Sequence, residues 1–355
     1  MTFFGGQTLI SQIRFNKAIG LALVVAIAPL GSRANDCSAP ETFYDERKCF
    51  SNTIHSLDEA LRLQLTRTTD ALSRDGKTRI ENDQTIWEQA LSNYCIGTSE
   101  KPVEEIDACL AEHFEDRITT LALYPPNTLP YSVISRHTFK SQPSSAEIDW
   151  IESASYTFKY PQIDLAQLSG GSLIEASKIN QWLASLAARD NTSSDSDFSE
   201  TLLVDRVLPN VFKVTSNVTQ YGHGAAHPMY YVGYVYYSLI SERGLNASDI
   251  FIDSRWEKII SSLAFNYLAA NLGESLWQKS PEEFVELITN SGRWDITGEY
   301  LTLSFNPYEV ASFADGYQEV KIRWESITGL LTESWIRELG NWRARHDSNV
   351  RPHAS

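Results

Sequence analysis

The spacing of apolar residues divides the chain into two regimes. From Glu41 to Asp75 no Pro or Gly interrupts, and Leu57, Leu61, Leu65, Thr68 and Leu72 recur at steps of three and four. Apolar residues at that period mark one face of a helix. Asp75-Gly76 reads as the stop of that helix. A second helix is predicted over about Lys77 to Tyr94, with Ile80, Ile86, Ala90 and Tyr94 inward and Gly97 beyond its end. A third is predicted over about Val103 to Leu121, carried by Val103, Ile106, Leu110, Phe114, Ile118 and Leu121. Glu104 and Glu105 fall in its first turn, where acids suit the helix dipole.

Tyr124-Pro125-Pro126-Asn127-Thr128-Leu129-Pro130 interrupts the pattern, and a proline cluster of this kind favours an extended connection. Beyond it strands dominate. Ala154 to Tyr160 alternates as a strand should, and Pro161 is expected to end it. A helix is predicted over Leu173 to Ala188, with Ser169-Gly170-Gly171-Ser172 as its cap or entry turn, and Asp190 to Asp197 reads as a polar loop. Strands follow at Val211 to Tyr221 and at the tyrosine-rich Tyr230 to Ile240. Helices are predicted at Trp256 to Leu272 and Pro281 to Thr289, then strands at Tyr300 to Phe305 and Tyr317 to Trp324. Strands and helices mixed without a regular βαβ repeat predict an α+β fold: an N-terminal helical bundle, then an α+β domain with a mainly antiparallel sheet.

The chain has 355 residues, 42% hydrophobic and 21% charged, with a net charge of −15. Such acidity argues against nucleic acid, which needs a basic footprint, and favours a cationic partner. The first 34 residues read as an export signal. Arg14 and Lys17 precede an apolar run from Ile19 to Leu30, and Ser32-Arg33-Ala34 supplies small residues at a cleavage site. That run is too short to span a bilayer, which takes about 20 residues. Ala34-Asn35-Asp36 before Cys37 does not resemble a lipoprotein signal, so no membrane anchor is expected after cleavage. Loss of Arg14, Lys17 and Arg33 would take the net charge to −18. The expected organisation is therefore a signal over 1–34, a helical domain over 35–123, a linker over 124–131, an α+β domain over 132–340 and a disordered basic tail over 341–355.

All four cysteines, Cys37, Cys49, Cys95 and Cys109, fall just after the signal. An even, clustered set in an exported segment predicts two disulfides, with three pairings open. Folding the second helix back at Asp75-Gly76 would bring Cys95, and then Cys109, toward Cys49. No closely spaced Cys pair suggests zinc. The order Cys37, Cys49, Leu57-Asp58 with Leu61, Gln84-x-x-Trp87, Cys95 and Cys109-Leu110 resembles the N-terminal domain of the LprI lysozyme-inhibitor family over about 37–121. It departs from the family at Leu91, where an Arg is common. A second resemblance rests on Tyr160-Pro161-Gln162-Ile163, on Ile179-Asn180, on Gly222-His223-Gly224-Ala225-Ala226-His227-Pro228, and on Phe305-Asn306-Pro307-Tyr308-Glu309-Val310-Ala311 with Gly316. Over about 150–331 this order is similar to the extracytoplasmic domain of RsiV anti-sigma factors. RsiV-type members bind lysozyme through this domain, while others accompany peptidoglycan deacetylase domains.

The candidate binding residues are Gly222, His223, Gly224, His227 and Pro228 in one predicted turn, and Pro307, Tyr308, Phe313 and Tyr317 in one predicted loop, with Glu309 and Asp315 beside them. His223 and His227 stand at ligand spacing for a helix, but Gly222 and Gly224 predict a turn, so no metal and no cofactor are expected. The tyrosines at 230, 231, 234, 236 and 237 read as core or edge packing ahead of an interface. No catalytic dyad, nucleophile elbow or phosphate loop stands out. The reading is an exported envelope protein that binds lysozyme or another cationic protein. The rival is a peptidoglycan-modifying enzyme or accessory, which a pocket clustering acid, His and Asp residues would favour.

Overall fold

The computed structural model describes residues 37–97, 101–123, 129–145, 153–187 and 193–350. The expected export signal and residues 124–128 of the expected linker lie outside them. The N-terminal helices are α1 (Phe43–Phe50), α2 (Asn52–Asp70), α3 (Arg74–Cys95) and α4 (Val103–Leu121). The predicted first helix is thus two, separated at Ser51, and α4 matches its predicted span, burying Ile106, Leu110, Phe114 and Leu121 of the apolar pattern while Val103 stays exposed.

Asp75-Gly76 does not end a helix; both residues sit in the first turn of α3. The Ser73 hydroxyl caps that turn by accepting from Gly76 N at 3.1 Å. Asp164 accepts in turn from Ser73 N and Oγ, at 2.6 and 2.7 Å. A Cβ at Gly76 would lie 2.8 Å from the Asp164 carboxylate. The glycine therefore serves close approach, and its role as a helix breaker is overridden.

Ile54, Ile80, Trp87, Leu91, Leu110 and Phe114 fill the core of the helical block, and Trp87 meets Phe114 edge-on at 5.5 Å. Gln84 accepts from the buried Arg117 Nε at 3.0 Å. The disulfides join Cys37 to Cys49 and Cys95 to Cys109. Cys95, at the end of α3, therefore pairs with Cys109 of the next helix, α4, and not with Cys49.

A six-stranded mixed sheet follows: β1 (Val133–Pro143), β2 (Ser153–Ile163), β3 (Ser196–Leu208), β4 (Val211–Gly222), β5 (Met229–Ser238) and β6 (Arg243–Gly244), in sequential spatial order. All neighbours are antiparallel except β2 and β3, which run parallel and are joined through α5 (Gly170–Ala187). β2 continues to Ile163, through the Pro161 that the alternation pattern marks as its end. Asn180 of α5 holds that end by pairing with both the N–H and the C=O of Ile163, each at 2.8 Å.

On one face of the sheet, Ala176, Ile179 and Leu183 of α5 pack on Phe158, Leu202, Val204, Phe212 and Val214. On the other face the helical block covers the β1–β2 end. Ile134 and Phe139 belong to its core, Arg136 pairs with Asp83 at 2.6 Å, and Lys159 pairs with Asp116. Leu129 is buried under α5, and Tyr131 donates to Glu175. The proline-rich segment thus does not separate one hydrophobic core from another, because β1 completes that of the helices.

The C-terminal block comprises α6 (Ala247–Ile250), α7 (Arg255–Leu272), α8 (Val285–Thr289), an antiparallel sheet of β7 (Trp294–Ile296), β8 (Tyr300–Phe305) and β9 (Gln318–Arg323), and α9 (Glu333–Val350). Its core takes in Tyr234 and Tyr236 from the same face of the six-stranded sheet that the helical block covers. The tail expected to be disordered from 341 instead continues α9 to Val350. Trp335 and Leu339 anchor that helix, and the Trp342 ring leaves no room at Gly298, where a Cβ would lie 2.0 Å from it. No described helix is long and apolar enough to cross a membrane.

Candidate functional site

The β4–β5 turn is built by its glycines. Ala225 N donates to Gly222 O at 2.9 Å, and Gly224 takes φ +85°, a conformation open mainly to glycine. Pro228 leads into β5. The two histidines have different partners. The buried His223 ring meets Ser144 Oγ through Nδ1 at 2.8 Å and lies 3.5 Å from the Asp197 carboxylate through Nε2. His227 Nδ1 donates to Pro228 O at 3.1 Å, and its ring stacks on Phe313 with centroids 3.9 Å apart.

That stacking joins the turn to the Pro307–Tyr317 segment. Asn306 holds the segment against the sheet, accepting from Val232 N at 2.7 Å and donating to Val232 O at 3.2 Å. The next residue but one, Tyr308, takes φ +68°, unusual for a bulky side chain, and leaves its ring 47% exposed. Phe313 lies 5.7 Å from Tyr308, and Trp277, also largely exposed, lies 6.4 Å from it on the other side. The result is a surface row of Trp277, Tyr308, Phe313 and His227. Tyr317, half exposed nearby, brings its hydroxyl to that of Tyr234 at 3.3 Å, and burial holds its titration well above the usual phenol range. Trp277 was not singled out by the sequence; its only signal is a lone tryptophan in a polar stretch.

The acids expected to face a cationic partner have internal work. Glu309 accepts from Arg293 at 2.6 Å and from Asn306 N at 2.8 Å. Asp315 accepts from Ser312 N and Oγ at the head of a short helical turn. Both therefore shape the loop before they shape its field. Of the β5 tyrosines, Tyr234, Tyr236 and Tyr237 are buried as packing residues, while Tyr230 and Tyr231 are exposed.

A second site was not foreseen. The helical and C-terminal blocks cover the two ends of one sheet face, and beside α4 the polar strip of that face lines a cleft of about 580 Å³. Its floor carries Ser155, Thr157 and Lys159 of β2, Asp197 and Ser199 of β3, and Thr219 and Tyr221 of β4. Glu112, His113 and Asp116 of α4 and Tyr94 of α3 form its wall. Burial is the first cause that lowers the His113 pKa, and burial also raises that of Tyr94. Behind the cleft, both ring nitrogens of His137 are buried without a hydrogen-bond partner among the described residues, as are two guanidinium nitrogens of Arg117. Burial, then the charge of Arg117, drives His137 well below its ordinary pKa. Among the described residues, the group of possible metal ligands that converges is Cys95, Cys109 and His113, within 4.8 Å of one another. Both sulfurs are engaged in a disulfide, which leaves His113 as the group's sole available donor.

With the geometry in place, the C-terminal block can be compared with known proteins. Residues 248–325 match the family model described as "Protein of unknown function (DUF3298)". This stretch is a DUF3298 domain. DUF3298 is RsiV-like, and the match lies inside the 150–331 span of the second resemblance. It includes the Pro307–Tyr317 segment of the aromatic row, whereas the Gly222–Pro228 turn precedes it. Two solved DUF3298 proteins are similar in structure. One, from Bacteroides fragilis, is 15% identical with a TM-score of 0.41, covering 61% of this chain and 99% of that one. The other, from Pseudomonas aeruginosa, is 14% identical with a TM-score of 0.40, covering 59% and 97%. Among curated proteins none matches significantly. These comparisons add no support to the LprI resemblance of residues 37–121.

Proposed function

We propose that this is an exported envelope protein that binds a cationic protein, lysozyme being the first candidate, through the row formed by His227, Phe313, Tyr308 and Trp277. One observation carries the reading. Two loops far apart in sequence meet through the 3.9 Å stacking of His227 on Phe313, both half-buried, beside the exposed rings of Tyr308 and Trp277. Aromatic side chains of this kind dominate binding hot spots. The net charge of −15 supplies the long-range attraction. Lysozyme as partner, and export, rest on the sequence resemblances, the predicted signal and the two disulfides. The test is binding of the full chain to immobilised C-type lysozyme at low and at raised salt. Tight binding at low salt is expected, weakened by salt, and Tyr308→Ala with Phe313→Ala should lower affinity by at least about tenfold, the scale of one hot spot. Absence of binding, or equal binding by a folded double variant, would refute it.

The rival reading, a peptidoglycan-modifying enzyme or accessory, draws on one feature: the cleft lines up Glu112, His113, Asp116 and Asp197. Release or modification of peptidoglycan fragments by the native chain, lost in Asp116→Asn, would favour it.

A further inference from the structure

We infer that the cleft between α4 and the sheet is a binding site for a saccharide carrying free amino groups. The argument begins with the sheet. A strand face that meets a protein core is apolar, yet here the strip lining the cleft presents the buried Thr157 with Ser199, Thr219 and Tyr221 beside Asp197. These residues share a face by register: Thr157 pairs with Ser199, Ser199 with Thr219, and Asp197 with Tyr221. The opposite face of the same strands is the apolar one, packed under α5. Hydroxyls and carboxylates offering both donors and acceptors at several points suit a ligand covered with hydroxyl groups. The Tyr221 ring adds a surface for the C–H faces of a sugar. A volume of about 580 Å³ lies within the range of small-molecule sites and is ample for more than one sugar ring.

Charge selects the kind of saccharide. The lining holds three carboxylates, Glu112, Asp116 and Asp197, against one cation, Lys159, which is already paired with Asp116. His113 adds no charge at neutral pH, since burial lowers its pKa. Asp197 directs one oxygen at Ser155 N and Oγ, at 2.7 and 2.8 Å, which sets its carboxylate in place. Glu112 is exposed and has no ion-pair partner among the described residues. A neutral sugar would leave this excess negative charge uncompensated, and an acidic one would be repelled. Protonated amines on the sugar would answer it.

The reading stands apart from the aromatic row, and its test separates the two. The full chain is titrated by calorimetry with a β-1,4-linked glucosamine tetramer, with the N-acetylated tetramer and with spermidine. The glucosamine tetramer should bind at least about tenfold more tightly than the acetylated form, the scale of one lost charge-assisted contact. Glu112→Gln and Tyr221→Ala, both melting as the parent does, should each weaken it about fivefold or more. Tyr308→Ala should leave it unchanged while impairing the proposed protein contact. Undetectable binding at about 10 mM tetramer, a range where even weak sites register, would overturn the inference. So would equal affinity in both cleft variants, or spermidine binding as tightly as the tetramer, which would reduce the site to charge alone. If Tyr221→Ala unfolds, Tyr221→Phe takes its place as the folded control and Glu112→Gln decides.

Discussion

Tyr308 is the residue at which structure and proposed function pull apart. Its φ of +68° costs a side-chain-bearing residue about 1–2 kcal/mol relative to a relaxed backbone, and glycine escapes most of that penalty. Truncating the ring two ways therefore separates backbone from ring. Tyr308→Gly should be more stable than Tyr308→Ala by about 1 kcal/mol in urea unfolding, since only alanine keeps a Cβ in the left-handed region. Both should lose partner binding alike, because both lack the ring. Equal stability would show that the backbone carries no strain, and retained binding would remove Tyr308 from the contact. The sequence marked Tyr308, Phe313, His227 and the turn glycines as loop residues; Tyr308, His227 and Gly224 are, while Gly222 ends β4 and Phe313 opens a short helical turn. It could not show that His227 stacks on Phe313, because no local period links residues on different loops. Trp277 escaped for the same reason, and the cleft because Glu112 and Asp116 look like any solvated helix face until β2 and β3 are laid against them.

At the scale of elements, the apolar pattern was most legible where one face meets one core. α4 and β8 match their predicted spans, α3, α5 and α7 differ only near their ends, and the first predicted helix divides into α1 and α2. β1 and β3 went unread because buried polar residues are interspersed among their apolar inward positions. On β1, His137 is buried and Arg136 pairs with Asp83 of the helical block, and Glu200 on β3 is buried where it accepts from Ser216 at 2.6 Å, so alternation of hydrophobicity is broken. Burying a histidine between elements has a measurable consequence. His137 of β1 and His113 of α4 are both held below their ordinary pKa by burial, so the folded chain keeps them neutral where the unfolded chain would protonate them. The unfolded state then binds more protons, and stability must fall as pH drops below about 6.5, the unfolded value, and go on falling toward the depressed folded values. Carboxylates with lowered pKa, such as Asp107 beside Arg47, add their own loss only at still lower pH. The urea midpoint should therefore drop between pH 7.5 and 5.5, a range chosen to bracket about 6.5, and His137→Gln should flatten the slope. A midpoint that stays level or rises toward acid would contradict the buried neutral histidine.

In the whole molecule, the proline cluster that read as a boundary lies between elements that share one core, and the stretch from 341 that read as a tail continues α9, with Trp342 packed against Gly298. Both misreadings have one cause: the sequence shows where a helix or strand stops, but not which other element completes its core. The division that does exist runs through the six-stranded sheet. β1 pairs with β2 along eleven residue pairs and β3 with β4 along twelve, yet β2 and β3 meet along four, from Tyr156–Phe198 to Lys159–Thr201. Parallel pairing is also slightly the weaker kind. This short seam joins the half of the sheet that carries α1–α4 to the half that carries the DUF3298 stretch, and the cleft lies across it. The chain therefore has a built-in line of weakness, and amide exchange should expose it. Hydrogens at Tyr156–Lys159 and Phe198–Thr201 that bridge the seam should exchange through local openings, well before those of the β3–β4 ladder, which wait for global unfolding. A small molecule spanning the cleft would act as a clasp across that line, and its presence would be read in slower exchange at the seam.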